Sequence, residues 1–467
     1  MYNGGAKLAA KRGFAQRMAA NSKYYVAVIG AATSGSVAAE LLANKGVHVA
    51  VIEQNKRPYG KIEDGLPRWH SEQRRQEYAL IDGRLKKPGV RFLPATKIGR
   101  DVSFDEFCTK WGFSAVILAN GAGRDRDLGV PGNEKFIEKG LLYQNPFIYW
   151  YNHKNEKTYD GPRYEAPDET LVVGGGLASI DVVKILQLEN YERALAARGV
   201  RTGMHELEKK GIPAVCKANG IQPEELGVKG CLLIYRRREQ DMPLAQPPDN
   251  ATAEQIAKTE QVRLKLLRLA REKFLFRVQD CTVVTGLIEE GGQLVGLKAS
   301  RTKVEGRKAE PIPGSEHELR APLVISSIGS VPEALPGVTM KGEYYTFSGE
   351  DIPRYMGCER VFGVGNVVTG QGNIRVSLVH SQKVTTHLIE NYLDVGESDG
   401  DLSGLYKAAE ERAAGQTATV IEALPELPPL SDAQIEAIEA RIRERQKAIG
   451  YSDYDSWIAK VMPKDLE

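Results

Sequence analysis

Between Tyr25 and Glu53 an apolar run, Val26 to Ile29, meets Gly30 and then Gly35. A stretch of small residues follows, and a second apolar run, Val47 to Ile52, ends in Glu53. Short apolar runs punctuated by glycine predict buried strands, and the small-residue stretch between them predicts a helix. The segment therefore reads strand, tight turn, helix, strand. In that arrangement the helix N-terminus receives a pyrophosphate, and a carboxylate ending the second strand holds both hydroxyls of an adenine ribose. Glu53 stands at that place, so a dinucleotide site is expected. The fingerprint G-x-G-x-x-G is met by Gly30, Ala32 and Gly35, with a methyl group where the backbone should come closest to the phosphates.

The same pattern returns at Asp168 to Asp181. Leu171-Val172-Val173 enters Gly174-Gly175-Gly176-Leu177-Ala178-Ser179, and a helix is expected to follow. Gly174 and Gly176 fill the first two fingerprint positions, and Ser179 is small enough for close helix-strand packing. Two such turns separated by about a domain length argue for two dinucleotide-binding folds. A helical insertion over about 191–226 delays the next strand, Cys231 to Tyr235, which runs into Arg236-Arg237-Arg238-Glu239. The residue ending that strand faces the adenine ribose, where a guanidinium selects a 2'-phosphate as an acid selects a free hydroxyl. The second site therefore reads as NADP-specific.

Other periodic segments fill in the frame. A charged helix is expected over Glu72 to Leu85 and a strand at Val90 to Leu93, while the run Ala115 to Ala119 ends in Asn120-Gly121. In a doubly wound sheet that strand end lies close to the first turn. A basic amphipathic helix, Gln261 to Lys273, precedes a β-rich passage from Phe274 to Leu323, and Leu323 to Gly329 reads as the crossing back into the first domain. Pro425 to Pro429 reads as a linker, Ser431 as an N-cap, and Ile435, Ile438, Ile442 and Ile449 as one helical face before Gly450.

A chain of 467 residues suits two or three domains. Lys plus Arg at 63 against Asp plus Glu at 61 is nearly balanced, so the overall field favours neither nucleic acid nor a membrane surface as partner. The five cysteines are scattered singly, without a C-x-x-C pair or a four-cysteine cluster, so redox chemistry must use a bound cofactor. No metal site is expected. No apolar run approaches the ~18 residues of a membrane span, and a cytoplasmic protein without an integral membrane segment is expected. Lys7, Lys11, Arg12, Arg17 and Lys23 give the first residues a basic, acid-free composition, read as an N-terminal extension.

With both turns placed, the chain resembles the adrenodoxin-reductase group of ferredoxin-NADP reductases and the related small subunit of glutamate synthase. The resemblance runs from Tyr25 to about Thr386. It rests on Val28 to Gly35 with Glu53, on Ala119-Asn120-Gly121 at the place of the family's Ala-Thr-Gly turn, and on Gly174 to Ser179. Tyr235 to Glu239 with Met242-Pro243 is similar to the glutamate-synthase phosphate site, and Pro58-Tyr59-Gly60 with Pro67 to His70 to a flavin-covering loop. A second flavin segment is Val361 to Asn366, followed by Thr369 to Ile374.

The resemblance implies FAD in the first site, held by Gly30, Ala31, Ser34, Gly35, Glu53 and Gln54. Gly60, Lys61 and His70 would join from the covering loop, and Ala119, Asn120 and Gly121 from the strand end. Gly365, Asn366, Gly372, Asn373 and Ile374 would complete the site from the second segment. Asn366 stands where related flavoproteins often carry Asp and brings no charge to the ribitol. Backbone N–H groups of Asn373 and Ile374, at a helix N-terminus, would stabilise negative charge on reduced flavin. NADPH is implied in the second site, held by Gly174, Gly176, Leu177, Ala178, Ser179, Arg236 and Arg237.

The expected fold is α/β, with two doubly wound, Rossmann-like dinucleotide-binding domains. Residues 1–23 form the extension, 24–128 the first part of the FAD domain, 129–324 the NADP domain, 325–400 the second part of the FAD domain, and 401–467 a helical tail. Hydride transfer to flavin depends on stacking and orientation, so no side-chain catalyst is expected. The implied activity is an NADPH-dependent flavoprotein reductase passing electrons to a ferredoxin-like iron–sulfur partner, docked on the basic helix carrying Arg263, Arg268 and Arg271. One alternative is an electron-input subunit of a larger redox complex. Another, motivated by Ala32 and Asn366, is a non-catalytic flavoprotein scaffold.

Overall fold

The computed structural model describes residues 22–247, 250–348, 353–369 and 403–463. Two sheets organise them. The first has seven strands in the order Phe347–Ser348, Arg354–Tyr355, Val361–Gly363, Ala115–Leu118, Tyr25–Ile29, His48–Ile52, Val90–Leu93. Its last five are parallel, with Val28 opposite both Val51 and Ile117. A parallel sheet is covered on both faces, which is why these strands carry apolar residues throughout instead of alternating with polar ones. Val26, Val28, Val49, Val51 and Ile117 face one core, which also buries Val37, Ala38 and Leu42 of the helix Thr33–Asn44. Tyr25, Ala27, Ile29, Ala50 and Ile52 face another, with Phe107 and Trp111.

The second sheet is wholly parallel, ordered Leu141–Tyr143, Val324–Ser327, Leu171–Gly174, Leu232–Ile234, Arg277–Gln279. The strand Val324–Ser327 therefore belongs to it, with Ser326 opposite Val173. This corrects the expected domain division: the chain does not cross into the first domain at 325 but after Gly329. There Ser330–Val331 pairs antiparallel with Arg124–Asp125, so the outgoing and returning connections run side by side. The apolar run could not reveal this, because a central strand of either sheet has the same composition.

The helix expected after the second glycine turn is Leu177–Ala197, which runs into the start of the helical insertion; Met204–Lys210 and Ile212–Ala218 follow within it. The basic helix spans Ala253–Phe274 and the β-rich passage is an antiparallel sheet of four strands between Thr282 and Arg320. Expectations for residues 1–21 of the N-terminal extension lie outside the described residues.

In the tail, Ser431 caps the helix Asp432–Ile449, accepting from the Gln434 amide. Ile438 and Ile442 enter the core that holds Phe107 and Trp111. Glu439 accepts from the Tyr25 hydroxyl at 2.9 Å and from Arg91 Nε at 3.0 Å. Gln446 Nε2 donates to the Phe92 carbonyl at 2.8 Å, so a side chain occupies part of the outer edge of the last strand. The helix Tyr454–Val461 then returns across the first domain, where Trp457 Nε1 donates to the Lys56 carbonyl at 2.8 Å. No described helix is long and apolar enough to cross a membrane.

Candidate dinucleotide-binding sites

The first site lies at the carboxyl ends of Tyr25–Ile29 and Ala115–Leu118. Gly30 has φ +101°, and a Cβ there would stand 2.6 Å from the Ala119 carbonyl oxygen. A Cβ on Gly35 would stand 1.8 Å from the Gly30 oxygen. Both glycines are required by backbone lying against backbone, which aims the start of the helix Thr33–Asn44 at the gap between the two strands. The Ala32 methyl sits beside Gly60, where an added Cβ would be 2.9 Å away. The loop carries glycine at the place where the turn carries alanine.

These elements enclose a cleft of about 400 Å³. Gly30, Ala31, Ser34, Glu53, Gln54, Gly60, Lys61, Ala119, Asn120, Gly121 and Asn366 all line it. Gly35 supports the turn from behind. A Cβ on Gly365 would meet Ser34 Oγ at 2.2 Å, so the second segment packs directly on the first turn. Gly372, Asn373 and Ile374 lie outside the described residues.

His70 is not part of the cleft lining. It is buried at the start of the helix Ser71–Leu85, and its Nε2 accepts from Trp69 Nε1 at 2.9 Å. Burial, with Lys184 and Arg74 nearby, holds its imidazole well below the ordinary value. Thr96, Lys97, Asn145, Tyr149 and Glu333 also line the cleft, though sequence reading did not select them. The loop after Val90–Leu93 was predictable, because crevices form beyond strand carboxyl ends. Asn145, Tyr149 and Glu333 come from distant segments and carried no local signal.

Charge in the cleft is set by burial. Glu53 is 5 % exposed, and its carboxyl is pushed up to about 7 by burial despite accepting from the Asn55 and Ala31 amides at 2.9 and 3.0 Å. A carboxylate has about four acceptor positions, so it keeps capacity for two hydroxyl donors. Lys61 is drawn down to about 8 by burial, against the pull of Asp125 and Asp64, and its Nζ lies 3.0 Å from Ser330 Oγ. Asn120 donates to the Tyr345 hydroxyl at 3.0 Å, while its Oδ1 is buried without a protein partner. An orphaned acceptor, two glycines against backbone and a helix start at one gap fit a phosphate-linked dinucleotide.

One wall of the cleft is tied to the second domain. Asp64 Oδ1 lies 3.1 Å from His153 Nε2, and Glu156 Oε1 lies 2.6 Å from Nδ1. Arg57 joins Glu63 at 2.6 Å and Glu156 at 3.4 Å, and the Tyr149 ring lies 4.4 Å from the imidazole. Burial lowers the His153 value, but the two carboxylates outweigh it and raise it.

The second turn follows the same logic at the end of Leu171–Gly174. A Cβ on Gly174 would stand 2.2 Å from the Ser327 oxygen, and one on Gly175 would stand 2.4 Å from the Tyr235 ring. Gly176, the N-cap of Leu177–Ala197, faces open space. Ser179 Oγ donates to the Ser327 carbonyl at 2.9 Å; Leu177 is buried and Ala178 half-buried. Because the Tyr235 ring covers Gly175, the arginine turn that follows is brought beside the glycine turn. Arg236 is exposed, Arg237 donates to the Tyr235 hydroxyl through Nε at 3.1 Å and Nη2 at 2.8 Å, and Arg238 is paired with Asp241.

The basic helix turns part of its charge inward. Arg263 donates to the carbonyls of Ala245 at 2.7 Å and Gln240 at 3.1 Å, and Arg271 pairs with Glu239 at 3.3 Å, so both brace the turn after the second strand. Arg268 stays exposed.

Two sheets, each with a parallel core, a glycine turn beyond one strand and a charged residue beyond the next, define a two-domain dinucleotide-binding fold. Residues 24–198 match the family described as pyridine nucleotide-disulphide oxidoreductase. It is 24% identical over 363 residues to the mitochondrial NADPH:adrenodoxin oxidoreductase of Arabidopsis thaliana, covering 69% of this chain and 72% of that protein. It is 26% identical over 320 residues to the NADPH-Fe(3+) oxidoreductase subunit beta of Geobacter sulfurreducens, covering 66% of this chain but 37% of that subunit. The glutamate synthase [NADPH] small chain of Azospirillum brasilense is 26% identical over 357 residues, covering 74% of this chain and 62% of that one. The structure of Mycobacterium tuberculosis FprA in complex with NADPH shares the fold, with a TM-score of 0.62 at 19% identity over 91% of this chain and 90% of that one.

Proposed function

We propose that the chain binds FAD in the first site and NADPH in the second, takes hydride from NADPH, and passes electrons to a ferredoxin-like iron–sulfur protein. The observation that carries this reading is the opposite charge at the two adenosine ends: buried Glu53 beyond the second strand of one sheet, Arg236 and Arg237 beyond that of the other. A bound flavin supplies the hydride acceptor and divides an electron pair into single electrons. The chain's own residues bind and orient. The helix starts at Thr33 and Leu177 face the phosphates, Glu53 accepts the ribose hydroxyls, and Arg236 and Arg237 read the 2'-phosphate. Asn120 Oδ1 offers an acceptor inside the cleft, and Lys61 a cation beside the connection between domains.

Purified protein should show flavin bands that bleach on anaerobic addition of NADPH and return with an oxidised ferredoxin. Absence of flavin, or bands unmoved by NADPH, would overturn the reading. A second reading, an electron-input subunit, is favoured by the relatives named as a subunit beta and as small chains; copurification with a larger redox protein and no turnover of free ferredoxin would select it.

A further inference from the structure

The arginine turn contains a third guanidinium that the phosphate reading leaves out. Arg238 meets Asp241 in a two-pronged contact, Nε to Oδ2 at 2.8 Å and Nη2 to Oδ1 at 2.9 Å, and its backbone N–H points at the same Oδ2 from 3.3 Å. Parallel fork-to-carboxylate pairing is the geometry by which arginine also grips a phosphate, so the contact occupies the donors a phosphate would use. The Asp241 side chain is 11% exposed against 43% for Arg238. Burial works against its charge, but Arg238 holds the carboxyl below its ordinary value. Removing the guanidinium would strand a largely buried carboxylate, which makes this the more costly end of the pair to expose.

The turn that presents the pair is fixed on every side. The Tyr235 hydroxyl donates to the Asp241 carbonyl at 2.9 Å, the Asp241 amide donates to the Arg238 carbonyl at 2.8 Å, and Arg263 holds the Gln240 carbonyl at 3.1 Å. The Glu239 amide lies 3.3 Å from Asp280 Oδ2. Arg238 cannot leave Asp241 by a swing of the turn.

We propose that Asp241 is a specificity-tuning residue: it withholds Arg238 from the 2'-phosphate, so that Arg236 and Arg237 alone read it and the protein binds the phosphorylated nucleotide more weakly than three guanidiniums would allow. This rests on the assignment of the second site to NADPH. Fewer fixed charges facing the phosphate give weaker retention and a shallower salt dependence, which suits a nucleotide that must leave after each turnover.

The test is calorimetric titration of the purified flavoprotein with adenosine 2',5'-bisphosphate and, separately, adenosine 5'-monophosphate, which differ only in the 2'-phosphate. Asp241→Asn keeps an acceptor for the Arg238 amide while removing the charge. It should bind the bisphosphate about three- to tenfold more tightly, with a steeper loss on adding salt and no change for the monophosphate. Because Arg238→Ala by itself uncovers the Asp241 charge, it is combined with Asp241→Asn, where it should cancel the gain and bring bisphosphate affinity back to within about twofold of the parent. A double variant that binds the bisphosphate tenfold or more weakly than the parent would show Arg238 already on the phosphate and overturn the proposal, as would an Asp241→Asn protein, folded by its flavin spectrum, that gains nothing. If Asp241→Asn alone fails to fold, the comparison of the double variant with the parent decides. A parent protein that does not distinguish the two ligands would instead sink the NADPH assignment, and a gain of discrimination in Asp241→Asn would still support the role of Asp241.

Discussion

Glu53 Oε2 accepts from the backbone amide of Ala31 at 3.0 Å, so the acid that ends the second strand is fastened to the turn that ends the first. With its carboxyl pushed up to about 7 by burial, Glu53 is partly protonated near neutrality until further donors reach it. Ribose hydroxyls favour the charged form, so binding should release a proton. We predict that FAD affinity of the stripped protein rises with pH up to about 7 and then levels off, and that Glu53→Gln weakens binding and removes the slope. In the cofactor-free protein the sign is opposite for folding: a raised acid makes stability fall as pH climbs from 4.5 to about 7. Fluorescence titration across that range checks the first, chemical denaturation the second. A flat affinity profile in the parent would remove Glu53 from the adenosine site.

Gly35→Ala should be severe. Its new methyl would lie 1.8 Å from the Gly30 oxygen, a backbone atom that cannot turn aside. The expected cost is roughly 3 kcal/mol or more in unfolding, with loss of bound flavin. Normal melting and normal flavin content would show that the turn differs from the one described.

Replacing Arg236 and Arg237 together with Ala should raise KM for NADPH at least about tenfold while changing KM for NADH little, since each charged hydrogen bond is worth about 1.5 to 3 kcal/mol. Arg236 should carry the larger share when changed alone, because Arg237 already spends two donors on the Tyr235 hydroxyl. Equal losses for both nucleotides would refute the selectivity.

His153 reaches Asp64 across the domains while Glu156 of its own segment holds its other ring nitrogen, with Arg57 and Tyr149 beside it. A histidine whose folded value is raised contributes stability that is complete below its unfolded value and lost as pH rises through the folded one. His153→Gln should therefore destabilise the protein more at pH 6 than at pH 9. The same cost at both values would mean that packing, not charge, does the joining.

Much of this was legible in advance because it is local. The two strand-glycine-helix units, the Ser431 cap and the isoleucine face of the tail helix depend on neighbours within a few residues, and such signals survive in sequence. Ala32 looked like a defect because its compensation, Gly60, is a separate loop. A boundary at 325 cuts through the strand Val324–Ser327, because buried parallel strands have one composition whichever sheet they join. Arg263 looked like surface charge because helical periodicity cannot show that the loop at Gln240 and Ala245 would lie over it. The failures share one cause: contacts between segments far apart in the chain.

The contact of Gln446 with the Phe92 carbonyl spans 354 residues. The first sheet is therefore among the earliest parts of the molecule to emerge during synthesis and among the last to be closed, since the outer edge of Val90–Leu93 waits for a helix made after nearly everything else. Long-range closure of this kind is slow to form, and an uncovered parallel strand invites pairing with another chain meanwhile. Yield in the cell should depend on that interval, and weakening the tail helix should show first as aggregation of newly made protein, before any change in the chemistry of molecules that finish folding.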